Sequence, residues 1–507
     1  MPRQRNAFTL TYDLRNRGEE PLYEFIYRSI RDDIARGSIA AGVKLPSKRN
    51  LAQHLQVGVA TVAAAYDQLC IEGFIEARER SGYFVEDVSK YRCKPVKHQV
   101  NVVTSPGIAN SGTGQQPEKI AQDETVAAQA ARTIKQASDE DFFVDMKANR
   151  ASVSLFPSTV WARYMREALS FPAESLLTSV PFNGLPELRQ AIANYLSRAR
   201  GMHVSPDCVI IGAGSEYLYG RLLQMFGPKT RVAMENPGYK KFAAISRSFD
   251  NPCSSVPIDE EGIDVAALEA SGAQVAHVSP ANHFPTGIVM PIRRRIELFE
   301  WANRKPGRCI VEDDYDSEFR YTGRPIMPLY ADDAAGKVIY LNAFSKTMVP
   351  ALRISYLVLP PDLLKRYVET MSFYSCTVSS IEQYALARFI DEGHFERHIN
   401  RMRTFYRQQR AAVMSAIEAS PLAARSRIEE RNAGTHFLLR LETDLSEAQI
   451  RERARKQGLN VSFLSDYLLE QKGLESKQTA NTLVINYAGI TPDRVEETVK
   501  RLSAAII

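Results

Sequence analysis

Four short runs of apolar and β-branched residues, CVIIGAG (208–214), AQVAHVSP (273–280), RCIVEDDY (308–315) and KVIYLNAF (337–344), are separated by long amphipathic stretches. A strand that is apolar on both faces needs cover on both, and helices between such strands supply it. The pattern therefore predicts parallel strands alternating with helices, an α/β body from about residue 142 to the end. At 507 residues the chain is too long for one ordinary domain, so further domains precede that body. Hydrophobic residues at 44% and charged residues at 24% fit a soluble protein with a large core and argue against a disordered or fibrous chain.

Charge and cysteines narrow the class further. Residues 1–100 hold 16 Lys and Arg against 12 Asp and Glu, and the remaining 407 hold 48 against 47. The positive excess of the +5 chain thus lies in its first fifth, which points to a nucleic-acid partner there, with a solvated basic face as the plain alternative. Six scattered cysteines (Cys70, Cys93, Cys208, Cys253, Cys309, Cys376) form no CxxC pair. That predicts a reducing compartment with neither a disulfide framework nor a structural zinc site. No uninterrupted apolar run reaches membrane-spanning length and the N-terminus lacks a signal-peptide core, so the expected location is the cytoplasm.

Three regions separate by pattern: 15–88, 89–141 and 142–507. In the first, Leu22, Phe25, Ile26, Ile30 and Ile34 share one helical face. Pro46 and Ser47 start a second helix, a turn follows at 56–58, and a third helix ends at Gly73. Two strands then turn near Ser81 and Gly82. A pair of short helices joined by a tight turn is a helix-turn-helix, and the basic hairpin is a wing. The middle region is poor in large apolar residues and is read as a flexible linker.

LPSKRNLA (45–52), TVAAAYDQL (61–69) and EGFIEARERSGYFV (72–85) resemble the winged helix-turn-helix of GntR-type transcriptional regulators. The resemblance implies that Lys48, Arg49, Thr61, Arg78, Arg80 and Gly82 face double-stranded promoter DNA. The recognition helix of that family usually opens with a polar Ser-Arg-x-Thr type sequence, where this chain has Gly58-Val59-Ala60-Thr61. Base contacts would then lean on Thr61, main chain and phosphates. A three-helix protein-interaction module is the competing reading.

In the last region NAFSKTMVPALRISY (342–356) sets Lys346 behind Ser345 and ahead of Arg353. The run of acids after 308–311 presents Asp313 and Tyr315 on one strand face and Glu312 and Asp314 on the other. IIGAGSEYLYGRLL (210–223) reads as a strand, a glycine turn and a helix whose first amides, at Gly214, Ser215 and Glu216, suit a phosphate; alone such a turn is a weak signal. NPGY supplies Tyr239 for stacking, and SPANHFPTG supplies Asn282 beside His283. A nucleophilic amine, a carboxylate for a pyridine nitrogen, a donor for a phenolic oxygen, a stacking ring and a phosphate cradle are what pyridoxal 5'-phosphate requires.

These motifs, with FNGLPELRQAIANYLSRARG (182–201), resemble fold-type I pyridoxal-phosphate enzymes of the class I aminotransferase group. The forms VEDDYDSEFRY, FPTG and FSKTMVPALRISYLVLP, behind a GntR-type head, are similar to the MocR/PdxR-like regulators. The resemblance implies a Schiff base at Lys346, phosphate contacts from Ser345 and Arg353, a head-to-tail homodimer, and an aminotransferase-like domain serving as sensor of an amine, an amino acid or the cofactor. No enzymatic turnover is expected; a working aminotransferase carrying a DNA-binding head is the alternative. Ala343 stands where those enzymes carry a hydroxyl, and Gly489 stands near where they carry the arginine for a substrate carboxylate. Lys240 and Lys241 could supply charge instead. His394 and His398 have the spacing of a zinc helix but no third ligand is suggested, so no metal is expected. His436 either points into the site or packs in a strand.

Overall fold

The computed structural model describes residues 10, 12, 14–17, 20–78, 81–88, 142–147, 155–170, 178–323, 325–429, 433–469 and 479–507. The expected linker at 89–141 and the wing residue Arg80 lie outside the described residues.

Helix α1 (Leu22–Ala35) turns Phe25, Ile26, Ile30 and Ile34 inward, as its periodicity predicts. Helix α2 (Lys48–Leu55) starts where the Ser47 hydroxyl accepts the Asn50 amide at 3.2 Å, and ends at Gln56 in a left-handed conformation. Helix α3 (Val59–Ile71) follows Gly58, and Gly73 at φ +75° turns the chain away from it. Strands β1 (Ile75–Arg78) and β2 (Gly82–Val85) pair antiparallel with Arg78 opposite Gly82. A core containing Ile26, Ile30, Leu51, Val62 and Leu69 unites these elements.

That core does not stop at the head. Ile292 and Ile296, from the helix Ile292–Arg304 of the α/β body, are part of it. The Ile292 amide donates to the Glu72 carbonyl at 2.8 Å. The buried Glu72 carboxylate accepts the Tyr27 hydroxyl at 2.6 Å and the Gln68 amide. Gly323 runs so close to Gln68 that a Cβ there would overlap the Gln68 side-chain oxygen.

The α/β body is built on an eight-stranded sheet. Its order is Val209–Gly212, Ser355–Val358, Val338–Ala343, Cys309–Asp313, Val275–Val278, Val232–Asn236, Cys253–Asp259 and Gly262–Ile263. From Val338–Ala343 to Cys253–Asp259 neighbouring strands are parallel. Side chains alternate between two covers: Cys309 and Val311 meet the core beside the helix Ser215–Phe226, while Ile310 meets Leu298 and Trp301.

Val209–Gly212 runs in the same direction as those parallel strands, as predicted, but its neighbour is a strand that the sequence reading did not assign, Ser355–Val358, which runs antiparallel to it and to Val338–Ala343. Only residues 344–354 separate those last two strands, too few for a parallel crossover of a dozen residues or more, so the chain reverses beside itself. The reversal inserts a strand into the sheet next to Lys346.

A second lobe holds the three-stranded antiparallel sheet Ser426–Glu429, His436–Leu441 and Thr482–Asn486. The 25-residue helix His394–Glu418 reaches it from the first lobe and packs Met402 and Tyr406 against Leu439 and Leu483. The short strand Val144–Asp145 joins this lobe by pairing in parallel with Leu459–Asn460.

Candidate functional site

Strand Val338–Ala343 runs directly into a one-turn helix, Phe344–Thr347, which sets Lys346 at the carboxyl end of the parallel strands, where α/β sheets hold ligands. The Lys346 side chain is 16% exposed. Its Nζ lies 4.3 Å from the Tyr315 ring centroid and 3.9 Å from Asp316 Oδ2. Burial lowers the amine's pKa, and Asp316 and then Asp313 oppose this with smaller effects, so the environment moves the lysine toward its nucleophilic form.

Around the amine the acids are individually held. Asp313 Oδ2 accepts the Tyr219 hydroxyl at 2.6 Å, and that hydroxyl also lies 2.9 Å from His277 Nε2. Asp316 accepts two hydrogen bonds from Asn282 Nδ2, at 2.8 and 3.0 Å. Burial raises the Asp316 pKa to about 6 in spite of Lys346 and Asn282. Asn282 Nδ2 also reaches the Tyr315 hydroxyl at 3.3 Å. Gly434, at φ +76°, lets the backbone approach here, since a Cβ would stand 2.7 Å from Asn282 Nδ2. The other face of the acidic run has structural partners: Glu312 caps the Leu329 and Tyr330 amides, and Asp314 binds the buried Arg200 at 2.5 Å.

The glycine turn lies beside this cluster. Gly214, at φ +94°, precedes the helix Ser215–Phe226, and a Cβ on it would overlap the Arg353 guanidinium. Arg353 itself adopts a left-handed φ of +51°, closing the 3-10 turn Pro350–Leu352. Its Nη2 lies 3.6 Å from Glu216 Oε2, and Lys241 Nζ donates to Glu216 Oε1 at 2.8 Å. Lys241, and then Arg353, hold the Glu216 carboxyl below its usual range. The Gly214 amide donates to the Gly212 carbonyl at 2.9 Å. Of the three amides expected to face a phosphate, that of Gly214 is thus engaged within the turn.

Tyr239 is half-buried at the start of the helix Lys240–Ser248, with its ring centroid 6.4 Å from that of Tyr219. Residues from the second lobe approach this wall: the Gly238 amide donates to the Tyr467 carbonyl at 3.0 Å, and Phe284 packs edge-on against Tyr467, Tyr315 and His436. His436 points inward from its strand. Its Nε2 donates to the Pro285 carbonyl at 2.9 Å, and burial, then Lys346, push its pKa down to about 4. Lys240 is exposed, and Gly489 ends a 3-10 turn after strand Thr482–Asn486. His394 stacks on Phe389 and His398 packs against the same ring. No group of three His, Cys, Asp or Glu that could hold a metal exists among the described residues.

On the head, Arg49 is exposed, Thr61 is half-buried in the first turn of α3, and Lys48 donates to Asp67 at 2.7 Å. Arg78 lies 4.6 Å over the Phe84 ring, and Gly82, at φ +106°, begins β2. Lys44, which the sequence reading passed over, lies 5.9 Å over the opposite strand's Phe84 and close to Gly82. Sequence reading also missed Asp316, Tyr219 and His277. Tyr219 sits one helical turn after Ser215, and a polar residue on the sheet-facing side of that helix was the available signal.

The residues fit pyridoxal phosphate. Asn282 Oδ1 is buried without a hydrogen-bond partner beside Tyr315, and Gly214 lets the Arg353 guanidinium lie directly over a helix start, where it can meet an anion. Ala343 is the one position in the set without the expected hydroxyl.

Comparison with known proteins bears on the whole chain. Residues 144–502 match the family "Aminotransferase class I and II", and residues 22–85 match "Bacterial regulatory proteins, gntR family". The uncharacterized HTH-type transcriptional regulator YdeL of Bacillus subtilis is 34% identical over 96% of this chain and 96% of its own length. The probable rhizopine catabolism regulatory protein MocR of Rhizobium meliloti is 29% identical over 96% of this chain and 94% of its own. A crystal structure of Pyrococcus horikoshii kynurenine aminotransferase, in complex with PMP, superposes with a TM-score of 0.63 at 24% identity, covering 76% of this chain and 96% of that one; the likeness is one of fold. No helix among the described residues is long and apolar enough to cross a membrane. With a winged helix-turn-helix in front of an aminotransferase fold, and full-length likeness to regulators built the same way, the chain belongs to the MocR group of GntR-family transcriptional regulators.

Proposed function

We propose that the Lys346 pocket holds pyridoxal 5'-phosphate and that this cytoplasmic protein uses it to sense an amino compound, or the cofactor itself, while residues 15–88 hold promoter DNA. When bound, that cofactor supplies an electrophilic aldehyde carbon on an electron-withdrawing ring. The observation that carries the proposal is the partly desolvated Lys346 amine beside Tyr315 and Asp316, in a site whose glycine turn lies under the Arg353 guanidinium.

Each side chain then has a task. Lys346 would supply the amine for that carbon. Asp313, oriented by Tyr219, would hold a proton at the pyridine nitrogen. The Tyr315 hydroxyl would donate to the phenolic oxygen, with Asn282 Nδ2 positioning that hydroxyl, and Tyr239 would supply the stacking ring. Ser215, Glu216, Ser345 and Arg353 would hold the phosphate, with Lys241 pairing the Glu216 carboxylate beside it. Asp316 and neutral His436 set the proton balance at Lys346.

The sensor reading is favoured over a working aminotransferase by Gly489, which offers no cation to a substrate carboxylate, and by the head docked through Glu72 and Ile292. The segment that carries Asp313, Tyr315 and Asp316 continues to Gly323 against Gln68 of α3, so a change at the pocket has a short covalent path to the head. A ligand shifts the head only if it binds two arrangements with different affinity. A head-to-tail homodimer would present two heads to two operator half-sites.

The test is a titration of the cofactor-loaded protein with alkyl amines, α-amino acids and ω-amino acids, with and without a duplex selected on the protein. Visible absorbance and duplex affinity are expected to change together for one class. Protein that stays colourless after incubation with pyridoxal phosphate ends the proposal.

A further inference from the structure

The face that α3 turns to solvent carries almost no polar atoms. Its buried side is Val62, Ala65, Tyr66 and Leu69. On the outer side stand Val59 and Ala60, both exposed, then Ala63, Ala64 and Asp67. Val59 is 48% exposed, one of four large hydrophobic side chains so exposed among the described residues. Asp67, the charged residue on this side, is engaged by Lys48 at 2.7 Å. The α/β body does not cover this end of the helix: it docks at the other, through Gln68, Glu72 and Gly73.

The surroundings say what meets this apolar strip. Arg49 and Lys44 are exposed on the neighbouring α2 entry, and the Arg78 side chain, on the wing, is 55% exposed. An exposed apolar strip on α3, in a head whose α2 and wing expose cations, suits a surface that is anionic at its rims and carries methyl groups between them. The major groove of a thymine-containing duplex is such a surface: phosphates flank it and the thymine C5-methyl projects into it. A G·C pair offers no methyl at that edge for the strip to meet.

We propose that Val59, with the Ala60 and Ala63 methyls beside it, selects operator sequence by apolar contact with a thymine C5-methyl in each half-site, and that Val59 is the main specificity-determining side chain of α3. This deepens the DNA-binding role of the head and rests on it.

The experiment uses the full chain. Duplexes are selected from a pool randomised at the centre, and in the tightest one each thymidine is replaced in turn by deoxyuridine, which removes only the methyl. For the native protein one thymidine per half-site should lose about fourfold in affinity, the value of one buried carbon, and the others should lose nothing. Val59→Ala, which loses the contact in both half-sites, should bind the thymidine duplex as weakly as the native protein binds a duplex with the responsive thymidine of each half-site replaced, and should no longer distinguish the two. Val59 is exposed, so its truncation leaves the head's core intact, and an unchanged circular dichroism spectrum checks this. Uniform tolerance of deoxyuridine, or an equal penalty in Val59→Ala, overturns the proposal and leaves the head's DNA-binding role standing. Failure to bind any duplex of the pool overturns both. A variant that binds DNA normally but sediments as a different assembly reassigns the strip to protein contact.

Discussion

The wing and the Lys346 pocket both gather charge, and they treat it in opposite ways. On the wing, Arg78 pairs with Glu76 at 2.7 Å with both side chains at least half exposed. Such pairs are screened and contribute little to stability singly, which leaves the cation available to a phosphate. In the pocket, Asp316 is 1% exposed and its pKa rises to about 6, while Lys346 is pushed the other way. There a charge acts through position and dehydration. The head should therefore respond to substitutions gradually and in a salt-dependent manner, and the pocket abruptly and in a pH-dependent one.

The sharpest break of that contrast is Lys346→Ala. It should abolish the visible absorbance of bound cofactor with an unchanged far-ultraviolet spectrum; a retained band would remove the pocket from the comparison. Next is Gly214→Ala. The new methyl meets Arg353 and the residue must hold φ +94°, a strain of about 1–3 kcal/mol, so cofactor affinity should fall by roughly tenfold or more in an equilibrium titration. If affinity is unchanged, the cradle lies elsewhere.

On the head, Arg49→Ala with Arg78→Ala should lower the slope of log affinity against log salt by about 2, without altering sequence preference. A slope equal to that of the native protein would show that these arginines do not meet phosphate. A subtler sharpening is Asp316→Asn. The carboxylate raises the Lys346 pKa against the lowering effect of burial, so its loss should lower that pKa further. Cofactor capture needs the unprotonated amine, and its midpoint, followed by absorbance from about pH 6 to 10, should move to lower pH. An upward shift would contradict the geometry. The smallest effect is expected from Gly58→Ser. Gly58 has extended backbone and no side-chain cap, and a Cβ would meet only Thr61 Oγ1 at 3.5 Å. The added cap should stabilise the head by a few tenths of a kcal/mol, read by thermal denaturation.

Much of this was legible beforehand, and particular residues show why. Ser47 announced α2 because capping is local chemistry, and Gly73 and Gly82 marked turns for the same reason. Asp313 and Tyr315 could be read together because strand side chains alternate. His277 and Asp316 could not, and Tyr219 only as a polar residue on the sheet-facing side of its helix, because their importance comes from contacts between residues far apart in sequence. The antiparallel strand Ser355–Val358, inserted between Val209–Gly212 and Val338–Ala343, escaped notice for a related reason: a run of apolar residues records burial on both faces but not which strand lies beside it.

The linear order of residues determined the two-part plan, the ends of the head's helices, and the strand-to-turn segments that carry Lys346 and Gly214, since each depends on periodicity or on backbone preferences acting over a few residues. Only the tertiary structure decided that Glu216 lies between Lys241 and Arg353, that Asp316 reaches Lys346, and that Glu72 joins the head to Ile292. Those contacts join separate segments, and their strength depends on distances and burial that come into being only when the sheet and its helices are packed.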